Sequence, residues 1–160
     1  MPSLEDPTLL PFIAQQLQKH RVSGEKLVFL MPESKVSTNL NPVKQFTKGL
    51  AQLHCGFAVQ QFGSGLNSFQ LLKHVDLDYI KIDRSLITDI HLDVAKQAIV
   101  ASMVTLEDKL KSRVVAEGIE TTEELSTLRQ LGVPLGQGYL LARPHRQPTP
   151  APWSSALLEL

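Results

Sequence analysis

The chain has 160 residues, 42% hydrophobic and 20% charged, which is enough for one domain with a real core. Sixteen Lys and Arg balance sixteen Asp and Glu, so no broad field draws the chain to nucleic acid polymers or to a membrane surface, and any anionic ligand must be gripped locally. The single cysteine, Cys55, excludes an internal disulfide and fits a reducing compartment, and no apolar run approaches the ~20 residues of a membrane span, so the chain reads as cytoplasmic.

In chain order, Leu10, Ile13 and Leu17 predict a helix over about 7–20, with Asp6 as cap and Pro7 at its first position. "KLVFLM" (26–31) reads as a buried strand. Val43, Phe46, Leu50 and Leu53 share one face of a helix over about 42–53, and "GFAV" (56–59) is again strand-like. "NSFQLLKHV" (67–75) predicts a short helix capped by Asn67 or Ser68, followed by the strand "DYIKID" (78–83). The longest helix is expected over 93–111, then a strand at "RVVAE" (113–117). Thr121 or Thr122 opens a helix that Gly132 ends, and "PLGQGYLL" (134–141) holds a last short strand. "RQPTPAP" (146–152) reads as an extended proline-rich connector to a terminal helix at 153–160, the whole of 1–160 being one domain.

Strand–helix alternation with near-continuous apolar strands implies a parallel α/β sheet with right-handed crossovers. Five β/α units suit either an open doubly wound sheet or part of an eight-stranded barrel, and periodicity does not choose between them. In either, functional groups gather at the carboxyl ends of the strands. Those ends carry Leu30–Glu33, Gln60–Gln61, Lys81 and Asp83, Glu117 and Glu120, and Gln137–Gly138. Lys81 and Asp83, two apart, are expected on one face of their strand. Each residue also has a plainer reading. Asp83 can cap a turn, Lys81 can snorkel to the sheet rim, Glu117 can be a solvated loop acid, and Glu120 can favour a helix start. Repetition at equivalent ends of different strands weighs against those readings. The five histidines show no metal-ligand spacing.

The same residues carry a family resemblance. "FGSGLNSFQLLKHVDLDYIKIDRSLI" (62–87) resembles the D-D-F-G-T-G-x-S-S-L…L-K-I-D-R stretch of EAL domains. "VVAEGIET" (114–121), "LGQGYLLARP" (135–144) and "LMPES" (30–34) resemble their A-E-G-V-E-T, Q-G-Y-L-F-x-R-P and E-I-T-E-S segments, in the same order. EAL domains are TIM-like (β/α)8 barrels. Some hydrolyse cyclic di-GMP with two divalent metals, and inactive members only bind it. The resemblance implies the C-terminal portion of such a barrel, about five β/α units. The opening strands with the Glu-Ala-Leu motif are absent, so a fragment or truncated chain is expected, with Met1 an engineered start.

The resemblance also implies a stripped metal site. The family's Asp-Asp pair aligns with Gln60 and Gln61, and the first glutamate of E-I-T-E with Leu30. The second survives as Glu33, which helps hold the following loop. Lys81 aligns with the catalytic lysine, Asp83 with a further carboxylate and Glu117 with a metal-binding glutamate. A hard dication needs charged oxygens, and paired dications need several, so loss of three carboxylates removes two-metal water activation. Lys81 and Asp83 are then remnants, and no metal or other cofactor is required. Nucleotide contacts are implied at Glu117, Gln137, Gly138, Leu141 and Pro144. This pattern is similar to FimX-type degenerate EAL domains, cyclic di-GMP receptors in type IV pilus control that contact a PilZ-domain adaptor. A half-barrel exposes strand edges, so self-association or complementation by a partner is expected. A scaffold that no longer binds nucleotide and an active phosphodiesterase are the competing readings.

Overall fold

The computed structural model describes residues 4–65 and 68–146, so most of the expected proline-rich connector at 146–152 and all of the terminal helix at 153–160 lie outside the described residues. Helix α1 (Leu9–His20) precedes strand β1 (Val28–Pro32), and helices α2 (Glu33–Thr38) and α3 (Leu40–Gln52) lead to β2 (Gly56–Phe62). Helix α4 (Ser68–Leu71) precedes β3 (Tyr79–Ile82), then come α5 (Arg84–Ile87) and α6 (Val94–Leu110). Strand β4 (Arg113–Glu117), helix α7 (Thr122–Gln130) and β5 (Leu135–Gln137) complete the order. All pairings are parallel, and the five strands lie in chain order across one sheet. Strictly sequential order is what a barrel arc requires; a doubly wound sheet reverses its order at a switch point. The structure thus resolves what periodicity left open.

Register divides the sheet into two unlike faces. Phe57, Val59, Ile80, Ile82, Val114 and Ala116 point one way and are buried under the helices. Phe29 of β1 meets Phe46 of α3 edge to face at 5.8 Å, which identifies this side as the helix-covered core. Leu30, Lys81, Val115, Glu117, Leu135 and Gln137 occupy the opposite face, which corresponds to a barrel interior. Apolar side chains on both faces account for the unbroken hydrophobic strands in the sequence.

Several boundaries differ from expectation. Helix α1 starts two residues beyond Pro7, because Asp6 binds the Thr8 N–H (2.8 Å) and hydroxyl (2.7 Å) in a local turn and caps no helix. The short helices α2 and α5 were not expected. Strand β3 ends at Ile82, so Asp83 does not share a strand face with Lys81. It is the N-cap of α5 and accepts the Ser85 N–H at 2.9 Å. Thr121 caps α7 as expected, in a reciprocal capping box with Glu124.

Candidate functional site

A polar cleft of about 360 Å³ opens at the carboxyl ends of β2–β5, lined by residues that include Gln60, Gln61, Asp83, Glu117, Gln137 and Pro144. A larger cleft of about 730 Å³ lies at the opposite, amino ends of the strands, around Gly56, Tyr79 and Arg113. Its charges are mixed, with Lys48, Lys111 and Arg113 set among Glu25, Asp76 and Asp78. Barrel chemistry is built from the loops after the strands, so the smaller cleft is the candidate site.

Adjacent strand residues normally face opposite ways, yet Gln60 and Gln61 both line the cleft. The register explains it. Val59 pairs with Ile80 and Phe62 with Ile82, so Gln60 and Gln61 together oppose Lys81 in a bulge. Gln61 adopts φ 58°, in the left-handed region where a non-glycine residue is disfavoured. The bulge returns Phe62 to the core, where it is fully buried and meets Phe69 at 5.7 Å.

Glu33 anchors the turn that follows. It starts α2, is only 4% exposed, and its Oε2 accepts the Gly63 N–H at 3.0 Å and the Ser68 hydroxyl at 2.9 Å. A Cβ on Gly65 would sit 2.8 Å from the other Glu33 oxygen, so any larger residue there must displace this carboxylate.

Two ion pairs cross from the end of β3 to the end of β4. Lys81 Nζ lies 3.0 Å from Glu117 Oε1, with its side chain 11% exposed and that of Glu117 31% exposed. Nearer solvent, an Arg84 guanidinium nitrogen lies 2.7 Å from Glu120 Oε1. Arg84 runs its aliphatic stem over Gly118, where a Cβ would meet it at 2.7 Å and where φ is +83°. Sequence reasoning did not single out Arg84, Gly118 or Tyr139, all of which line the cleft. The Arg143 guanidinium lies 5.0 Å from the centre of the Tyr139 ring. An Arg directly after the Asp that follows a strand was the available signal for Arg84, but its partner is 36 residues away and visible only through strand register.

The structure brings Asp83, Glu117, Gln137, Gly138 and Pro144 to the cleft with the two glutamines. It places other expected residues elsewhere. Leu141 is not part of the cleft lining; it is half-buried against the hydrophobic core, and its N–H binds the Gly138 carbonyl at 3.1 Å. Leu30 lies on β1 at 46% exposure, beyond the cleft, and offers no donor atom.

The oxygen donors at the cleft mix the carboxylates of Asp83, Glu117 and Glu120 with the amides of Gln60, Gln61 and Gln137. Among the described residues, no three His, Cys, Asp or Glu side chains converge to hold an ion. Gln60 and Gln61 supply neutral oxygens in the bulge, and the Glu117 carboxylate is bound to the Lys81 ammonium.

A sequentially ordered parallel sheet with a polar cleft at its carboxyl edge defines an arc of a TIM-like β/α barrel. Residues 2–144 match the EAL domain family, and the chain belongs to it. It is 35% identical over 132 residues to cyclic di-GMP phosphodiesterase PdeF of Escherichia coli, covering 82% of this chain and 18% of that protein. It is 34% identical over 137 residues to cyclic di-GMP phosphodiesterase NbdA of Pseudomonas aeruginosa, covering 86% of this chain and 18% of the relative. The crystal structure of the Pseudomonas aeruginosa FimX EAL domain bound to c-di-GMP superposes with a TM-score of 0.83 at 37% identity, covering 89% of this chain and 58% of that one. The manganese/cyclic di-GMP complex of Klebsiella pneumoniae BlrP1 also gives 0.83, at 34% identity, over 88% of this chain and 36% of that one. The chain thus spans less than two thirds of each of these proteins. Among the described residues, no helix is long and apolar enough to cross a membrane.

Proposed function

We propose that this chain is a non-catalytic, cyclic di-GMP-binding signalling module of the degenerate EAL type. The observation that carries the reading is the bulge at Gln60 and Gln61. It brings both residues to the cleft, where a metal-holding pair would stand, but they are amides. Leu30 removes a third carboxylate, and Lys81 is committed to Glu117 instead of to a metal-bound water. With no donor set for paired dications, water activation has no chemical basis, and the module needs no metal. Recognition survives that loss. Gln137, Gly138 and Pro144 still form one wall, suited to base-edge hydrogen bonds and apolar flanking of a purine, and neutral amides repel phosphates less than two aspartates would.

Likeness in the pattern of loss to FimX-type domains supports a role in type IV pilus control through a protein partner, with a PilZ-domain adaptor the first candidate. Buried, unpaired Cys55 is compatible with a cytoplasmic setting. A second reading, a scaffold that binds protein only, is favoured by one feature. Strand β1 has an unpaired outer edge among the described residues, with Leu30 exposed on it, where another chain could pair.

Titration calorimetry with cyclic di-GMP in the presence of a chelator tests the proposal. Heat with a saturating one-site isotherm is expected, and the same sample supplied with manganese should release no linear dinucleotide. No heat would leave the scaffold reading, and product formation would overturn the non-catalytic one.

A further inference from the structure

Glu124 is not among the residues that line the cleft, yet its carboxylate reaches the backbone behind two of the cleft's walls. It lies on α7, only 3% exposed. Oε2 accepts the N–H of Glu120 at 2.8 Å and of Thr121 at 3.1 Å. Oε1 accepts the N–H of Asp89 at 3.0 Å, across a gap of 35 residues. Asp89 follows α5 and holds φ 56°, a left-handed conformation that an outside acceptor helps to fix. Capping α7 requires only the Thr121 contact. The bonds to Glu120 and Asp89 go beyond a helix cap.

The segment that Glu124 holds supports the third wall in turn. The N–H groups of Gly118 and Ile119 both donate to the Gln137 carbonyl, at 2.8 and 3.1 Å. The Leu140 N–H donates to the Ile119 carbonyl at 3.1 Å. Gly138 packs so closely on Ile119 that a Cβ there would overlap its backbone. One carboxylate is therefore connected to the segment after β3 that carries Asp83 and Arg84, to the Glu117–Glu120 segment, and through it to Gln137 and Gly138.

We infer that Glu124 is a positioning residue for the cleft, setting the spacing of the walls that follow β3, β4 and β5. The inference rests on reading the cleft as the nucleotide site, but the coupling itself can be measured without nucleotide. Glu124→Ala, Glu124→Gln and Thr121→Ala are compared by amide hydrogen exchange and by cyclic di-GMP titration. In Glu124→Ala, exchange at Asp89 and Glu120, and also at Gly118, Ile119 and Leu140, should speed by about tenfold, while amides of β1–β3 keep their protection. Affinity should fall by about tenfold, the scale of one lost buried hydrogen bond. Glutamine keeps one acceptor oxygen, so Glu124→Gln should complete the capping box and restore slow exchange at Glu120 while its NH2 faces the Asp89 N–H and leaves Asp89 fast, and it stays informative if the alanine variant does not fold. Thr121→Ala removes the cap alone and should leave exchange at Asp89 and Gly118 unchanged. Unchanged exchange at Gly118, Ile119 and Leu140 in Glu124→Ala, or a Thr121→Ala profile matching it, would overturn the inference. Exchange that speeds as expected in a protein that binds no nucleotide would uphold the coupling and overturn the receptor reading.

Discussion

Glu33 and Glu124 are the buried carboxylates among the described residues, and each is consumed in holding loops. Glu33→Ala would leave the Gly63 N–H and the Ser68 hydroxyl without their acceptor, at a cost of about 2 kcal/mol, measurable as a lower urea midpoint with an unchanged slope. For Glu124, burial pushes the carboxyl up, but hydrogen bonds from the backbone at Glu120, Asp89 and Thr121 and from the Thr121 side chain outweigh it, and the group is held below its ordinary 4.5. A carboxyl depressed on folding adds stability above its unfolded value and loses it as pH falls through the folded one. Wild-type stability should therefore drop on acidification below about pH 4.5 more steeply than that of Glu124→Gln. Glu124 also repels the charge on Glu123, so the difference between the two urea-denaturation series reports Glu124 together with that coupling.

At the scale of the element, β5 and the turn after it depend on one missing side chain. Gly138→Ala drives a methyl group into the Ile119 backbone, which cannot retreat without breaking the bonds to Gln137 and Leu140. Gly132→Ala is the control. Its Cβ would find open space, with the nearest atom 3.8 Å away, and only the positive φ of 79° opposes it. Calorimetric melting should show a loss of about 1 kcal/mol for Gly132→Ala and at least twice that for Gly138→Ala. The five strands, the Thr121 cap and most cleft residues were legible in the sequence, because apolar runs and strand-end polar residues follow directly from a two-faced parallel sheet. The bulge was not legible. Gln60 and Gln61 are the same residue type, so an inserted position leaves no break in the pattern. Helix α2, "ESKVST", is six residues of mostly weak helix formers, too short for a 3.6-residue period to register. The pairing of Arg84 with Glu120 depends on Ile82 lying beside Ala116, a fact of register and not of spacing. Leu141 entered only through the family resemblance; β5 ends at Gln137, so no strand pattern reaches it.

Over the molecule as a whole, the feature that bears on association is the pair of outer strand edges. Closed barrels leave no strand edges, whereas here β1 and β5 each have one paired neighbour among the described residues. Strand β1 is the more exposed liability. It is five residues long, "VFLMP", carries no charge to deter pairing, and turns Leu30 toward solvent at 46% exposure. Pro32 lacks an N–H and limits pairing only at the carboxyl end, so Val28 to Met31 remain free to accept another strand. A polypeptide of these 160 residues should therefore associate as its concentration rises, seen in sedimentation velocity as a weight-average coefficient that climbs with loading. Leu30→Lys places a charge on that edge without touching the helix-covered core, and should return the protein to a concentration-independent monomer with little change in melting temperature. If the unaltered chain sediments as a monomer across the same range, β1 is not a pairing edge. If Leu30→Lys associates as strongly as the unaltered chain, the contact lies elsewhere on the molecule, and the scaffold reading loses the surface on which it rests.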